Sequence, residues 1–298
     1  MKKILLLLFL VLVLISCSNK VDKANESNSE KEEKKTSEHK TIADLNIGDL
    51  VVDDSWKWEI KVNQGYTGIG LEKPVIWIVV AKNHYDIEDA HVTLLSKEIL
   101  GRYSFDTSTN RGSQDGSNHW GNSGTDNANR GIRIFLNENF TKEFSNLFNS
   151  IVLTTNVPTA YWETGEIYYT SDRVFIPCRS EIDSDKRGIY QSGKLLEYFN
   201  VDDRLEEYNR RKAQLPGISA AEENYKDLND YWNYLTRTPS NEKSSFIYRV
   251  VFDGNYSVGA AKDDYGFWGI RPLVNVKANT IVIEADNQTG VYKIIGIN

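Results

Sequence analysis

Hydropathy along the chain falls into three regimes. An unbroken apolar run, Ile4 to Ile15, follows Lys2 and Lys3 and stops at Ser16-Cys17. Residues 18–40, "SNKVDKANESNSEKEEKKTSEHK", carry almost no apolar side chains, with acids and bases nearly cancelling. From Asp44 onward short apolar runs and aromatic residues return. "DLVVDDSWKWEIKV" alternates apolar and polar positions, which predicts strand with one buried face. "PVIWIVVAKN" and "HVTLLSKEIL" are more continuously apolar and predict strands buried on both faces. Phe140, Phe144, Leu147, Phe148 and Ile151 recur at helical spacing and predict one helix with an aromatic core face. Pro216-Gly217 marks a turn, and Ser219 with Glu222 matches a capping box, predicting a second helix toward Tyr231. "TIVIEADNQTGVYKIIGI" predicts a hairpin turning at Asp286 to Gly290. Between these elements, residues 102–131 are rich in Gly, Ser, Asn and Asp and show no period. A loop of that length in a compact domain is usually functional or disordered. The pattern predicts a single α+β domain over residues 44–298, with the hairpin at about 279–298.

The leading apolar run is shorter than the roughly 20 residues a membrane-spanning helix needs, and its length fits a secretory signal. Leu14-Ile15-Ser16-Cys17 resembles a bacterial lipobox. That resemblance implies a signal peptide at residues 1–16, cleavage before Cys17, and acylation (diacylglycerol and palmitate) of Cys17. Two or more acyl chains anchor a protein stably. Residues 17–43 are then a lipidated N-terminus and a tether too polar to bury enough surface to order itself. The expected location is the bacterial cell membrane or outer envelope, facing away from the cytoplasm, with the membrane contacted through the lipid.

Removing residues 1–16 takes away two lysines and no acid, so the formal charge moves from −7 to −9. An acidic chain with no basic run is not expected to bind nucleic acid. Of the two cysteines, acylation of Cys17 leaves Cys178 without a disulfide partner. Its apolar setting, "RVFIPCRSE", suits a small buried side chain rather than a reactive thiol. The four histidines, His39, His84, His91 and His119, form no close pair, and no HExxH or CxxC occurs. Zinc and iron are therefore not expected. A calcium loop could use Asp106, Asn110 and Asp115, but Gly112 stands one place late and Ser117 replaces the bidentate glutamate of an EF-hand. A solvated Asp/Asn loop fits it better, and no cofactor is expected. No G-x-S-x-G or P-loop is present, and no catalytic residue can be singled out among the 42 acids. "VDDRLEEYNRRK" reads as a solvated helical face. Of the seven tryptophans, Trp120 alone sits in a Gly/Ser/Asn loop. It either plugs the core or stays open to a ligand, for which an indole is well suited. With His119, Asp106 and Asp115 it forms the candidate ligand-binding set.

Four stretches in order carry a resemblance over most of residues 46–278. "IGDLV…PVIWIVV…HVTLLSKEIL", "RGIRIFLNENF", "SDRVFIPCRSEI", and the pair "YWNYLTRTP" and "GIRPLVNV" resemble a bacterial extracellular domain-of-unknown-function family. The closing pair also resembles the C-type-lectin-like fold shared with sulfatase-modifying-factor domains. That likeness implies short twisted antiparallel strands, two or more helices and long loops, with Trp232, Arg237, Trp268 and Arg271 as fold determinants. The paired cysteines of formylglycine-generating enzymes and the histidine triad of their iron-dependent relatives have no counterpart here, so the likeness implies fold and not that catalysis.

The expectation drawn from all this is a lipid-anchored envelope protein acting as a ligand-binding or adhesion module for a glycan or peptide. The alternatives are an envelope-polymer hydrolase with unidentified carboxylates and a structural envelope protein without a small ligand.

Overall fold

The computed structural model describes residues 39–60, 71–106, 117–122, 131–185, 189–221, 227–261, 268–286 and 288–298. The signal, Cys17 and most of the tether lie outside them, as do Asn110 and Asp115.

The N-terminal third contributes β1 (Lys40–Thr41), β2 (Leu50–Val52), β3 (Trp58–Ile60), β4 (Leu71–Lys73), β5 (Ile76–Lys82) and β6 (His91–Ser96). The middle contributes α1 (Ile132–Ile134), α2 (Asn146–Ile151), β7 (Val152–Leu153), β8 (Thr155–Ala160), β9 (Ile167–Asp172), β10 (Val174–Phe175), α3 (Arg179–Ile182), α4 (Arg204–Arg211) and α5 (Ile218–Ala221). Strands β11 (Tyr234–Pro239), β12 (Phe246–Val250), β13 (Tyr256–Ala260), β14 (Leu273–Lys277), β15 (Thr280–Glu284) and β16 (Val291–Ile297) close the chain.

A nine-stranded sheet runs in the order β1-β15-β16-β2-β5-β6-β14-β10, with β7 also on β14. Its centre is β5 and β6, whose continuous apolar runs are buried on both faces. Strands β15 and β16 form an antiparallel hairpin, and β16 pairs β2 in parallel. An aromatic cluster of Trp56, Phe140, Phe144 and Phe148 packs at centroid distances of 4.9–5.9 Å and continues to Trp77. A three-stranded sheet β11-β12-β13 and a β8–β9 hairpin stand apart from the large sheet.

The expected α+β, C-type-lectin-like fold is overturned. Among the described residues strand accounts for 36% and helix for 20%, and the longest α-helix, α4, has eight residues. The residues expected to bring the lectin-like core together are split between sheets. Arg237 lies on β11 in the small sheet, while Arg271 precedes β14 in the large one. The segment before β14 touches β11 through a bridge from Gly269 to Tyr234 and a hydrogen bond from Arg271 Nη1 to the Tyr234 hydroxyl at 3.3 Å, without merging the two sheets.

Local competition explains the shortened helices. The helix expected over Phe140 to Ile151 breaks at Phe144, whose ψ is 140°. Ser145 Oγ accepts the Phe148 N–H at 2.9 Å and restarts the chain as α2. A hydroxyl able to cap a new helix competes with continuing the old one. Ser219 is not the expected N-cap. Helix α5 begins one residue earlier, and the distant Asp230 carboxylate accepts the Gly217 and Ser219 N–H groups at 3.3 and 2.8 Å. Glu222 lies outside the described residues.

Candidate functional site

The loop expected to bind ligand is, in its described parts, packed inward. Trp120 is fully buried, against Phe105. Its Nε1–H donates to Asp172 at 3.0 Å. The Asp172 carboxylate also takes Arg133 Nε at 2.7 Å and the Thr170 hydroxyl at 2.6 Å. Trp120 is therefore a core plug and not an open ring. Its few local apolar neighbours in sequence are replaced by distant ones. Asn118 Nδ2 bonds the carbonyls of Lys243 and Phe246 at 2.9 and 2.8 Å, strapping the loop to the small sheet. Asp106 is 3% exposed and accepts Ser117 N–H at 2.7 Å. No group of three metal-ligating side chains occurs among the described residues. His119 stacks on Tyr168 with centroids 4.4 Å apart and rings 6° from parallel, and leans on Tyr161. Burial lowers its pKa, with Glu163 opposing.

The four residues read as fold determinants have concrete partners. Trp232 is buried, with the Arg102 guanidinium 5.3 Å above its ring. Trp268 lies under the Arg249 guanidinium at 3.7 Å. Arg271, 1% exposed, donates from Nε to Ser96 O at 2.9 Å and from Nη1 to Arg211 O at 3.1 Å. Arg237 leads to the site.

Arg237 is wholly buried on β11. Its Nη1 and Nη2 grip Glu181 Oε2 and Oε1 at 2.8 and 2.5 Å. Nη1 also donates to Ile176 O at 2.6 Å, and Nε to Pro158 O at 3.2 Å. Bidentate Arg–carboxylate pairs combine charge with fixed geometry. Glu181 sits on α3, where its Oε2 also accepts the Cys178 N–H at 2.9 Å. Its Oε1 accepts the Tyr85 hydroxyl at 2.8 Å. Burial pushes the Glu181 pKa up, but Arg237, with His84 and the Cys178 N–H, outweighs it and holds the group below its ordinary value. Tyr85 is pushed well up by burial and by Glu181. The buried Cys178 thiol is pushed up to about 11, chiefly by burial and then by Glu181. Gly193 passes so close that a Cβ there would stand 2.6 Å from Glu181 side-chain atoms.

Above this ion pair opens a cavity of about 400 Å³, lined by His84, Tyr85, Asp86, Asn156, Pro158, Ile167, Tyr169, Glu181 and residues 191–194. Three segments make it. The turn after β5 supplies His84 to Asp86, where Asn83 adopts φ +48° and its Oδ1 accepts the His91 N–H at 2.9 Å. The β8–β9 hairpin supplies the second wall through its register. Pro158 faces Tyr169 and Ala160 faces Ile167, so period-2 alternation puts Asn156, Pro158, Ile167 and Tyr169 on one face. Val157 and Thr159, on the other face, are buried. Tyr169 is 65% exposed, the largest exposure of any ring in the described core elements. Gln191, Ser192, Gly193 and Lys194 form the third wall. Ser192 is 2% exposed, and its hydroxyl is buried beside the Cys178 thiol. His84 has its pKa lowered by burial, with Glu181 opposing.

The sequence points to Arg237 only as a fold determinant and carries Glu181 only inside the quoted stretch "SDRVFIPCRSEI". Tyr85, Asn156, Tyr169 and Ser192 were missed. The available signal was the alternation in "EIYYTSD", which leaves Ile167 and Tyr169 facing away from the core.

No curated protein and no solved structure matches the chain. A family model, DUF6273, a domain of unknown function, matches residues 90–278. That span holds every wall of the cavity except the His84–Asp86 turn, and on it the chain belongs to the DUF6273 family.

Proposed function

We propose that the protein is a lipid-anchored cell-envelope binding module whose ligand occupies the cavity over the Glu181–Arg237 pair. One observation carries the reading: a cavity of about 400 Å³ has a rigid buried polar floor and an exposed aromatic ring, Tyr169, at its lip. Ligand sites combine apolar and aromatic walls with a few fixed polar groups in this way. The Glu181 oxygens already accept four protein hydrogen bonds, which accounts for the lone-pair sites of a carboxylate. Such a group shapes a floor better than it moves protons, so binding is favoured over hydrolysis by an acid–base pair. Anchoring rests on the lipobox-like Leu14-Ile15-Ser16-Cys17.

Two measurements test the reading. Hydrogen exchange of the full chain with a digested cell-envelope extract should show protection confined to Ile167–Tyr169 and residues 191–194. Exchange in those segments unchanged by every fraction would remove the binding reading. Metabolic labelling with a palmitate analogue should mark the parent and not Cys17→Ser, and equal labelling would remove the anchor.

A further inference from the structure

The cavity's chemistry narrows the ligand, given the binding reading above. We propose that it takes an uncharged saccharide of one or two rings, stacked on Tyr169 and hydrogen-bonded by Asn156 and Gln191. Charge comes first. The lining acids are Glu181 and Asp86, and the cations are Lys194 and, behind Glu181, Arg237. These balance, so no net field selects an ionic ligand. Glu181 is spent on Arg237, which leaves no buried charge to meet one of opposite sign.

Hydrogen bonding comes second. Asn156 and Gln191 are exposed lining amides, each offering a donor and an acceptor side by side. Neighbouring hydroxyls on a sugar ring, each both donor and acceptor, match that pairing.

Shape comes third. Tyr169 presents an amphipathic ring to solvent at the rim, with Ile167 beside it and Pro158 across the hairpin. The C–H face of a pyranose is the flat, weakly polar surface that such a ring covers. About 400 Å³ is near the small end of the roughly 300–1,000 Å³ of ligand pockets.

The test is titration calorimetry of the full chain in a sugar-free detergent. The probes are N-acetylglucosamine, chitobiose, maltose and cellobiose, with glucuronate and trialanine as the charged and peptide comparisons. Tyr169→Ala and Asn156→Ala both change exposed side chains, and unchanged melting temperatures confirm that they fold. At least one neutral sugar should bind the parent, and each variant should weaken it about 2- to 12-fold. Equal affinity in parent and variants overturns the assignment. Binding of glucuronate or trialanine without any neutral sugar overturns it too, while leaving the cavity as a binding site. No heat from any of the six probes overturns the saccharide, and if envelope extract also fails to protect the cavity walls, the binding reading falls with it.

Discussion

Replacing Glu181 by Gln keeps the shape of the cavity floor and removes its charge. Arg237, wholly buried, then has no counter-ion, because its other contacts are the carbonyls of Ile176 and Pro158. One carboxylate oxygen also becomes an amide N–H₂ facing donors from Arg237 and either Tyr85 or Cys178. Breaking a buried ion pair from one side costs about 3–5 kcal/mol. For a domain of this size that lowers the melting temperature by about 6–20 °C. Urea denaturation at neutral pH reads it directly.

The pH dependence supplies a second arm. The Glu181 carboxyl is held below its ordinary 4.5 in the fold. Its stabilisation is therefore complete above about the unfolded value and is lost as pH falls through the lowered native value. Protonated Glu181 resembles glutamine, so the gap between parent and Glu181→Gln should narrow on acidification below about 4.5. A cost under about 1 kcal/mol at neutral pH, or a gap that stays constant from pH 7 to pH 3, would refute the reasoning, since either result means the pair is solvated. A paired Glu181→Gln, Arg237→Met change should still destabilise. It removes both charges but leaves the carbonyls of Ile176 and Pro158 without their donor, at about 1–3 kcal/mol for each buried group left unpaired.

Other consequences follow from single contacts. Gly193→Ala places a Cβ 2.6 Å from Glu181 and should cost about 1–3 kcal/mol in a thermal melt while Glu181→Gln, Gly193→Ala costs less than the sum. Trp120→Phe keeps the plug but leaves Asp172 short of a donor, for a loss of about 1–3 kcal/mol by urea denaturation. Trp120→Ala should cost about 3–5 kcal/mol. The Cys178 thiol, buried with its pKa near 11, should resist a thiol-alkylating reagent at pH 8 until the chain unfolds, and native labelling at a free-thiol rate would contradict its burial.

The sequence was most legible where one element could satisfy itself. The doubly apolar β5 and β6 and the hairpin of β15 and β16 follow from local pattern alone, because their burial is written in consecutive residues. It was least legible where polar groups were settled by distant partners. Helix length was overread because Ser145 and Asp230 end or begin helices through contacts that periodicity ignores. "VDDRLEEYNRRK" looked wholly solvated, yet Arg211 and Glu207 turn inward to each other, and Arg211 reaches Asp183 and Gly254 O. The site shows the same cause at full strength. Glu181 meets Tyr85 96 positions away and Arg237 56 positions away. None of the three has a local reason to be buried, since a lone charge costs far more to desolvate than a pattern can offset. Each becomes buriable only when all three are in place. A conspicuous residue such as Trp120, which carries its own apolar area, drew attention for the opposite reason. Its affinity for the interior needed no partner to be read, and the same affinity took it out of reach of a ligand. The rings left exposed are those, like Tyr169, whose strand alternation turns them away from the core.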